Sequence, residues 1–139
     1  MLLAMPQPAP SVREMYWQRS FPGRPEQVRE ARFFLRTLLP GHPGLDDMLL
    51  VVDELAANAV QHTRSGEPGG VFEVGVLLDG EHVAVSVVDQ GGSGVPAGAV
   101  SDELDESGRG LALVAALAVR CSWSGTEASR TVIAFFPAS

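Results

Sequence analysis

The sequence predicts an α+β domain, on three observations. Apolar residues recur at helical spacing in two segments, over about residues 25–38 and 45–61. The Asp79-Gly80 pair separates two apolar runs, which is a strong signal for a β-hairpin. The length of 139 residues and the hydrophobic content of 45% are sufficient for one domain with a substantial core.

The N-terminal part of the chain predicts an arm, a strand and a helix. Residues 1–14 are rich in Pro and Gln, can bury little, and are expected to form a flexible arm. Aromatic residues favour a strand over about residues 15–21, and Pro25 suits the first turn of the helix that follows. The helix has an apolar face, Val28, Ala31, Leu35 and Leu38, and an arginine stripe on another face, Arg29, Arg32 and Arg36.

The rest of the chain predicts two more helices and four strands. A second helix over about residues 45–61 has the apolar face Met48, Val52, Leu55 and Ala59, and a loop at 64–70 follows it. The hairpin strands are Val71–Leu78 and Glu81–Val88. After a long loop, a small apolar helix is expected at about Leu111–Ala118, with closing strands near Val119–Ser124 and Thr131–Phe136. A loop of that length inside one domain is uncommon unless it has a function or is mobile.

The composition excludes several classes of function. The chain carries ten Arg, no Lys and seventeen acidic residues, for a net charge of −7. A Walker-type phosphate loop needs its Lys and is therefore excluded, and a net-acidic domain is a poor candidate for direct nucleic-acid binding. The single cysteine, Cys121, excludes a disulfide framework and a Cys-based zinc site. No apolar run reaches the roughly 18 residues of a membrane span, so we expect a cytoplasmic protein without a membrane partner.

The charge is unevenly distributed along the chain. Residues 1–40 carry a net charge of +3 and residues 41–139 a net charge of −10. This asymmetry indicates either a solvated basic helix or a surface on which an acidic partner docks.

Three polar residues of the second helix are candidates for chemistry. Glu54, Asn58 and His62 follow one another at intervals of four, so they lie on one side of the helix. An amide oxygen is one suitable ligand for Mg²⁺, which also takes waters and phosphate oxygens, and a nearby Glu can act as a general base. The alternative is an exposed polar face with a His near the C-terminus of the helix, where the dipole favours it.

Asp89 directly follows an apolar strand and is a second candidate. A carboxylate at the end of a buried strand is costly unless it is hydrogen-bonded, and it could accept a hydrogen bond from the amino group of an adenine. Gly91 and Gly92 would let the backbone approach a flat ring closely. The alternative is a turn initiated by Asp, which the Asp and Gly residues favour as well.

The third candidate is Gly108-Arg109-Gly110, which leads into the predicted third helix. Backbone N–H groups at the start of a helix attract anions, and Arg109 adds a fixed positive charge that suits phosphate. The alternative is a flexible loop that ends at a helix.

In this order, the three features resemble the motifs of the GHKL, or Bergerat-fold, ATP-binding superfamily. Val52–His62 is similar to its N box, Asp89-Gln90-Gly91 to its first glycine box and Gly108-Arg109-Gly110-Leu111 to its second. The resemblance covers about residues 15–139 and is closest to the small anti-sigma-factor serine/threonine kinases. It implies a single two-layer α/β sandwich, with a mixed, largely antiparallel sheet and helices packed on one face.

The resemblance also implies a role for each candidate residue, with ATP and Mg²⁺ as cofactors. Asn58 would hold Mg²⁺, Asp89 would read the adenine amino group, and Glu54 would be the base toward a protein serine. The other residues implied to bind ATP are His62, Gly91, Gly108, Arg109, Gly110, Leu111 and Thr131. Residues 90–107 would form the ATP lid.

Two positions depart from the superfamily's pattern. Its first glycine box often reads Asp-x-Gly-x-Gly, whereas Ser93 stands in the last position here. Its last strand often follows a Gly and a Thr, whereas this chain has Ser129-Arg130-Thr131, in which Thr131 alone matches. Neither departure removes a residue that is implied to touch Mg²⁺ or adenine.

Two functional hypotheses follow. The first is a kinase that transfers the γ-phosphoryl group of ATP to a serine or threonine of a small antagonist protein and so regulates a sigma factor. The second is a module that sequesters a sigma factor or another regulator in a nucleotide-dependent way, with the arginine stripe and the acidic lid as contact surfaces. The chain is too short for the dimerisation domain of a sensor histidine kinase, although homodimers are frequent in the family. A plain ATP-binding domain with a different regulatory partner is the third alternative.

Overall fold

A five-stranded antiparallel sheet and three helices form the fold. The computed structural model describes residues 14–92 and 106–139. The strands are β1 (Met15–Pro22), β2 (Val71–Leu78), β3 (His82–Asp89), β4 (Arg120–Gly125) and β5 (Arg130–Pro137). The helices are α1 (Glu26–Leu38), α2 (Leu45–His62) and α3 (Glu106–Leu117), and a short 3₁₀ turn spans Arg64–Gly66. The predicted α+β class is therefore confirmed.

The strand order is β1-β2-β3-β5-β4, and all four pairings are antiparallel. The prediction of a mixed sheet is wrong for the part of the chain that the structure describes. The reason is that β2–β3 and β4–β5 are hairpins, while β1 and β5 also run antiparallel to the strands beside them. The central strand is β3, so residues at its ends lie in the middle of the sheet.

One face of the sheet carries the core. Alternate residues of β2 and β3 are buried, as period-two side-chain geometry requires: Phe72, Val74, Val76, Val83, Val85 and Val87. The predicted apolar face of α2 is also buried, namely Met48, Val52, Leu55 and Ala59. Phe21 stacks on Phe72 with ring centroids 5.4 Å apart and meets Phe34 of α1 edge-on at 5.9 Å. Burial of each large apolar side chain contributes about 1.5–3 kcal/mol to folding.

The hairpin between β2 and β3 is closed by Asp79, as predicted. Its carboxylate accepts hydrogen bonds from the backbone N–H groups of Glu81 (2.9 Å) and His82 (2.7 Å). These two bonds hold the pKa of the Asp79 carboxyl below its usual value. Gly80 supplies the positive φ of 90° that the turn needs.

The largest boundary error concerns α3. This helix begins at Glu106, five residues before the predicted start, so Gly108-Arg109-Gly110 lies within its first turns rather than ahead of it. Two glycines, which are poor helix formers, made the segment read as a loop, whereas an acidic residue in a first turn is favourable. The predicted arm at residues 1–14 falls outside the described residues except for Glu14, and so does most of the predicted lid, residues 93–105.

Candidate functional site

Asn58 carries a buried oxygen atom without a partner. Its Oδ1 atom is inaccessible and accepts no hydrogen bond within residues 14–92 and 106–139. Leaving a buried acceptor unsatisfied costs about 1–3 kcal/mol, so such an atom points to a ligand or a water. Glu54 lies one helical turn before Asn58 and is half-buried, and the exposed His62 lies one turn after it and ends α2. These are the three residues that the sequence placed along one side of the helix.

The end of α2 is attached to the segment that follows β3. The Thr63 hydroxyl donates to the carbonyl oxygen of Ala59 (2.6 Å) and accepts from the N–H of Ser65 (3.0 Å). The N–H of Gln90 then donates to Ser65 Oγ (2.9 Å). The backbone N–H of Arg64 donates to the carbonyl oxygen of Gly91 (2.7 Å). These bonds bring the end of the N-box helix and the first glycine box together.

Asp89 is the last residue of β3 and is 8% exposed. Its Oδ1 atom accepts the N–H of Gly91 (2.6 Å), which is the Asp-initiated turn that the sequence left open as an alternative. The same oxygen is 3.3 Å from Nε of Arg130, which is also 8% exposed. Asp89 is therefore half of a buried ion pair as well as the head of a turn.

Arg130 is the site residue that sequence reasoning missed. The β3–β5 register pairs Asp89 with Arg130 and Val88 with Thr131. Because neighbouring residues of a strand point to opposite faces, Arg130 lies on the face of Asp89 and Thr131 on the other one. The structure thus does not bring Thr131 to Asp89. The sequence signal was partial: a carboxylate that ends a core strand needs hydrogen-bond donors, but the β3–β5 register decides which residue supplies one.

Gly91 has a positive φ of 71°, and a Cβ atom added there would stand 1.9 Å from the carbonyl oxygen of Glu127. Glu127 lies in the turn between β4 and β5, and its carbonyl oxygen also accepts Nη1 of Arg64 (3.2 Å). Packing of this turn against the first glycine box is thus sufficient reason for glycine at position 91. Gly92 is less crowded, with the His62 carbonyl oxygen 3.6 Å from such a Cβ position.

Gly108, Arg109 and Gly110 are described through the helical backbone of α3 alone, so the predicted side-chain contact of Arg109 lies outside the described residues. Leu111 is half-buried and packs against the edge of the core. Helix α3 packs against α2, the helix of Glu54 and Asn58. The second glycine box therefore belongs to a helix that contacts the N-box helix.

A second ion pair connects α1 to α2. Nε of Arg32 lies 3.4 Å from Oδ1 of Asp53, the residue before Glu54. Burial raises the pKa of the Asp53 carboxyl, and the charge of Arg32 opposes that rise in part. Arg32 is thus engaged within the domain, whereas Arg29 and Arg36 of the same stripe are exposed.

The donor set fits Mg²⁺ bound with phosphate better than a cage of protein ligands. No group of three or more His, Cys, Asp or Glu side chains in the described ranges could hold a metal ion. A single amide oxygen is compatible with Mg²⁺, which keeps waters and takes phosphate oxygens as its other ligands.

Among the described residues, no helix combines the length and the apolar character that crossing a bilayer requires.

Comparison with known proteins decides the family. A model of the histidine kinase-like ATPase domain matches residues 21–136. The chain belongs to this family. The superfamily expected from the three boxes is therefore confirmed, and the match includes Glu54, Asn58, Asp89 and all of the second glycine box.

Two solved structures share the fold of this histidine kinase-like ATPase domain. The RsbU and RsbW domains of Rv1364c from Mycobacterium tuberculosis superpose with a TM-score of 0.66 at 20% identity over 88% of the chain, which spans 32% of that protein chain. The SiaB–SiaC complex from Pseudomonas aeruginosa gives a TM-score of 0.62 at 15% identity, over 86% of this chain and 88% of the other. No curated protein sequence matches the chain.

Proposed function

We propose that this protein binds Mg²⁺-ATP and transfers the γ-phosphoryl group to a serine or threonine of a small antagonist protein, thereby regulating transcription through a sigma factor. The observation that carries the proposal is the buried, unpartnered Oδ1 of Asn58, one turn from Glu54 on a helix whose end is attached to the Asp89 segment. Because the chain belongs to an ATPase-domain family, we infer that this oxygen binds the Mg²⁺ of Mg²⁺-ATP and that the carboxylate of Glu54 accepts a proton during transfer.

Each residue has a definite task in this proposal. Asn58 holds Mg²⁺, which neutralises charge on the phosphates when it is bound. Glu54 accepts the proton of the attacking hydroxyl, and Asp89 accepts a hydrogen bond from the adenine amino group. The backbone N–H group of Gly108, which has no partner within the first turn of a helix, the Arg109 guanidinium, and Gly110, His62 and Leu111 contact the nucleotide. Positioning and charge stabilisation supply most of the catalysis.

The proposed class of partner is supported by the domains and proteins that accompany the two structural neighbours. One of them contains an RsbW domain beside an RsbU domain, and the other was solved as a complex of SiaB with SiaC. The first neighbour thus has two domains in one protein, and the second is a complex of two proteins. By analogy with the SiaB–SiaC complex we propose a protein substrate here. A cytoplasmic location and a homodimer as the working form are proposed from the sequence alone.

A binding module with little or no kinase activity is the second candidate. The observation that favours it is a surface of α1 where Phe33 is 60% exposed, with exposed Arg29 and Arg36 at helical spacing on either side. An apolar side chain between two cations suits a partner that presents an apolar pocket with acidic residues around it. Such a surface serves sequestration without any phosphoryl transfer.

The test of the kinase proposal is phosphoryl transfer from γ-labelled Mg²⁺-ATP to proteins of a soluble extract of the source cells. Wild type, Glu54→Gln and the control Glu81→Gln are compared, since Glu81 is exposed at the opposite end of β3. Wild type and the control are expected to label a small protein on serine or threonine, and Glu54→Gln to lose about a hundredfold or more. Full transfer by Glu54→Gln would overturn the base assignment. Nucleotide binding without transfer by wild type would favour the binding module.

A further inference from the structure

The Asp89–Arg130 pair closes one end of the sheet on the face that the helices cover. Asp89 is the last residue of β3 and Arg130 the first of β5, and the two are register partners. Their side chains are each 9% exposed, and Nε stands 3.3 Å from Oδ1. A buried ion pair is weak evidence for stability, because apolar residues of similar volume often replace one at no cost. This pair therefore invites a functional explanation.

The two carboxylate oxygens of Asp89 differ in the hydrogen bonds that they accept. Oδ1 of Asp89 accepts from two donors, the Gly91 N–H and Arg130 Nε. Within the described ranges, Oδ2 of Asp89 accepts no hydrogen bond and the two terminal nitrogens of Arg130 donate none. An arginine has five N–H donors, of which Nε supplies one. The pair consequently presents an acceptor, Oδ2, beside several donors.

Those donors lie next to the first glycine box. The Nη2 atom of Arg130 is 3.9 Å from the position that a Cβ of Gly92 would occupy, and the carbonyl oxygen of His62 is 3.6 Å from the same point. The Nη2 atom of Arg130 thus lies near Gly92, which is also close to the last residue of α2. In the proposed function, the adenine ring of ATP binds in this region.

We propose that Arg130 is a specificity-determining residue of the nucleotide site, which donates to the ring nitrogen N1 of adenine while Asp89 accepts from the adjacent N6 amino group. The proposal rests on the proposed function, because it requires that the site take a nucleotide. Adenine presents a donor at N6 beside an acceptor at N1, which complements an acceptor beside a donor on the protein. Hypoxanthine presents the reverse order, an acceptor at O6 and a donor at N1, and would leave buried polar groups unpaired.

The first test changes the ligand and leaves the protein intact. Calorimetric titration of the wild type compares Mg²⁺-ATP with 1-deaza-ATP, which lacks the N1 acceptor, and with the triphosphate of purine riboside, which lacks the N6 amino group. Each analogue is expected to bind about tenfold or more weakly than ATP, since a hydrogen bond to a charged group is lost in each case. Equal binding of ATP and 1-deaza-ATP would overturn the proposal.

The second test changes the protein and measures discrimination rather than affinity. In Arg130→Met the ratio of the ATP and 1-deaza-ATP dissociation constants is expected to fall to about one, while the penalty for the missing N6 amino group persists. A merely structural role of Arg130 would weaken both ligands together and leave their ratio unchanged, which would refute the proposal. Arg120→Met is the matched control, because Arg120 is an exposed arginine at the start of β4 and lies over the ring of Phe135, away from Asp89.

Two outcomes separate this inference from the proposed function. If the wild type binds ATP but does not distinguish 1-deaza-ATP from it, the role of Arg130 fails and the proposed function stands. If the wild type binds none of the three nucleotides, both fail. Loss of fold in Arg130→Met, seen as loss of the far-UV circular dichroism, leaves the wild-type analogue series to decide the question.

Discussion

The hydroxyl of Thr63 donates to the carbonyl oxygen of Ala59, 2.6 Å away, and accepts the N–H of Ser65 at 3.0 Å. One small side chain thus ends α2 and starts the 3₁₀ turn that meets the strand end carrying Asp89. The position of the candidate site depends on this join, because Asn58 is on one side of it and Asp89 on the other.

We expect Thr63→Val to lower the free energy of unfolding by about 1–3 kcal/mol. The valine keeps the shape of the buried side chain but leaves the Ala59 carbonyl oxygen and the Ser65 N–H without this partner. Urea unfolding followed by circular dichroism measures the change. The control is Thr63→Ser, which retains the hydroxyl and should lose less; equal losses in the two variants would contradict the hydrogen-bond explanation.

Gly91→Ala should be strongly destabilising, by more than the cost of its positive φ alone. The added Cβ would stand 1.9 Å from the Glu127 carbonyl oxygen, so the turn between β4 and β5 would have to move. Gly41→Ala provides the matched control, because Gly41 has a similar φ of 76° and nothing within 4 Å of its Cβ position. Strain alone costs about 1–2 kcal/mol. Thermal unfolding that shifted equally in both variants would show that the Glu127 contact is unimportant.

The carboxyl of Asp53 predicts a pH dependence of stability. Burial raises its pKa in the folded state, so between the unfolded value of about 3.9 and the raised folded value the folded protein binds more protons. Stability relative to Asp53→Asn should therefore fall as the pH rises through that window and stay level above it. Chemical denaturation of both proteins from pH 3.5 to 7, which spans about three units above the usual carboxyl pKa, measures the difference.

Asp79 supplies the control of opposite sign. Backbone hydrogen bonds lower its pKa, so its contribution is present above the unfolded value and is lost as the pH falls through the folded one. The stability of wild type relative to Asp79→Asn should thus decline in acid. If both variants changed in the same direction with pH, at least one of the two physical causes would be wrongly assigned.

Local features of the fold were predictable from the sequence because they depend on neighbouring residues. The Asp79-Gly80 pair predicts a hairpin from two adjacent residues. In the structure the Asp79 carboxylate accepts a backbone N–H of the turn, and Gly80 has the positive φ that the turn needs. The apolar faces of α1 and α2 follow from helical periodicity. By contrast, the start of α3 was predicted too late, because its two glycines have a low helix propensity. Tertiary packing against α2 overrides that propensity.

Long-range pairing was the limit of prediction at the candidate site. Asp89 was identified from its place after an apolar strand, whereas its partner Arg130 lies 41 residues further along and is set by the β3–β5 register. A register shifted by one residue would have turned Thr131 toward Asp89 instead. Because of this ion pair, Asp89→Asn alone is an ambiguous test of adenine recognition by Asp89. The substitution also leaves Arg130 as a buried cation without its partner.

The most direct measurement is calorimetric titration with ATP, in the presence and absence of Mg²⁺, of wild type and Asn58→Ala. The account predicts that wild type binds ATP more tightly with Mg²⁺ than without it, and that Asn58→Ala loses this dependence. A melting shift supports the result, since a ligand at about a hundred times its Kd stabilises a fold by roughly 2.7 kcal/mol. Failure of the wild type to bind ATP at millimolar concentration, or an unchanged Mg²⁺ dependence in Asn58→Ala, would contradict the assignment of this site.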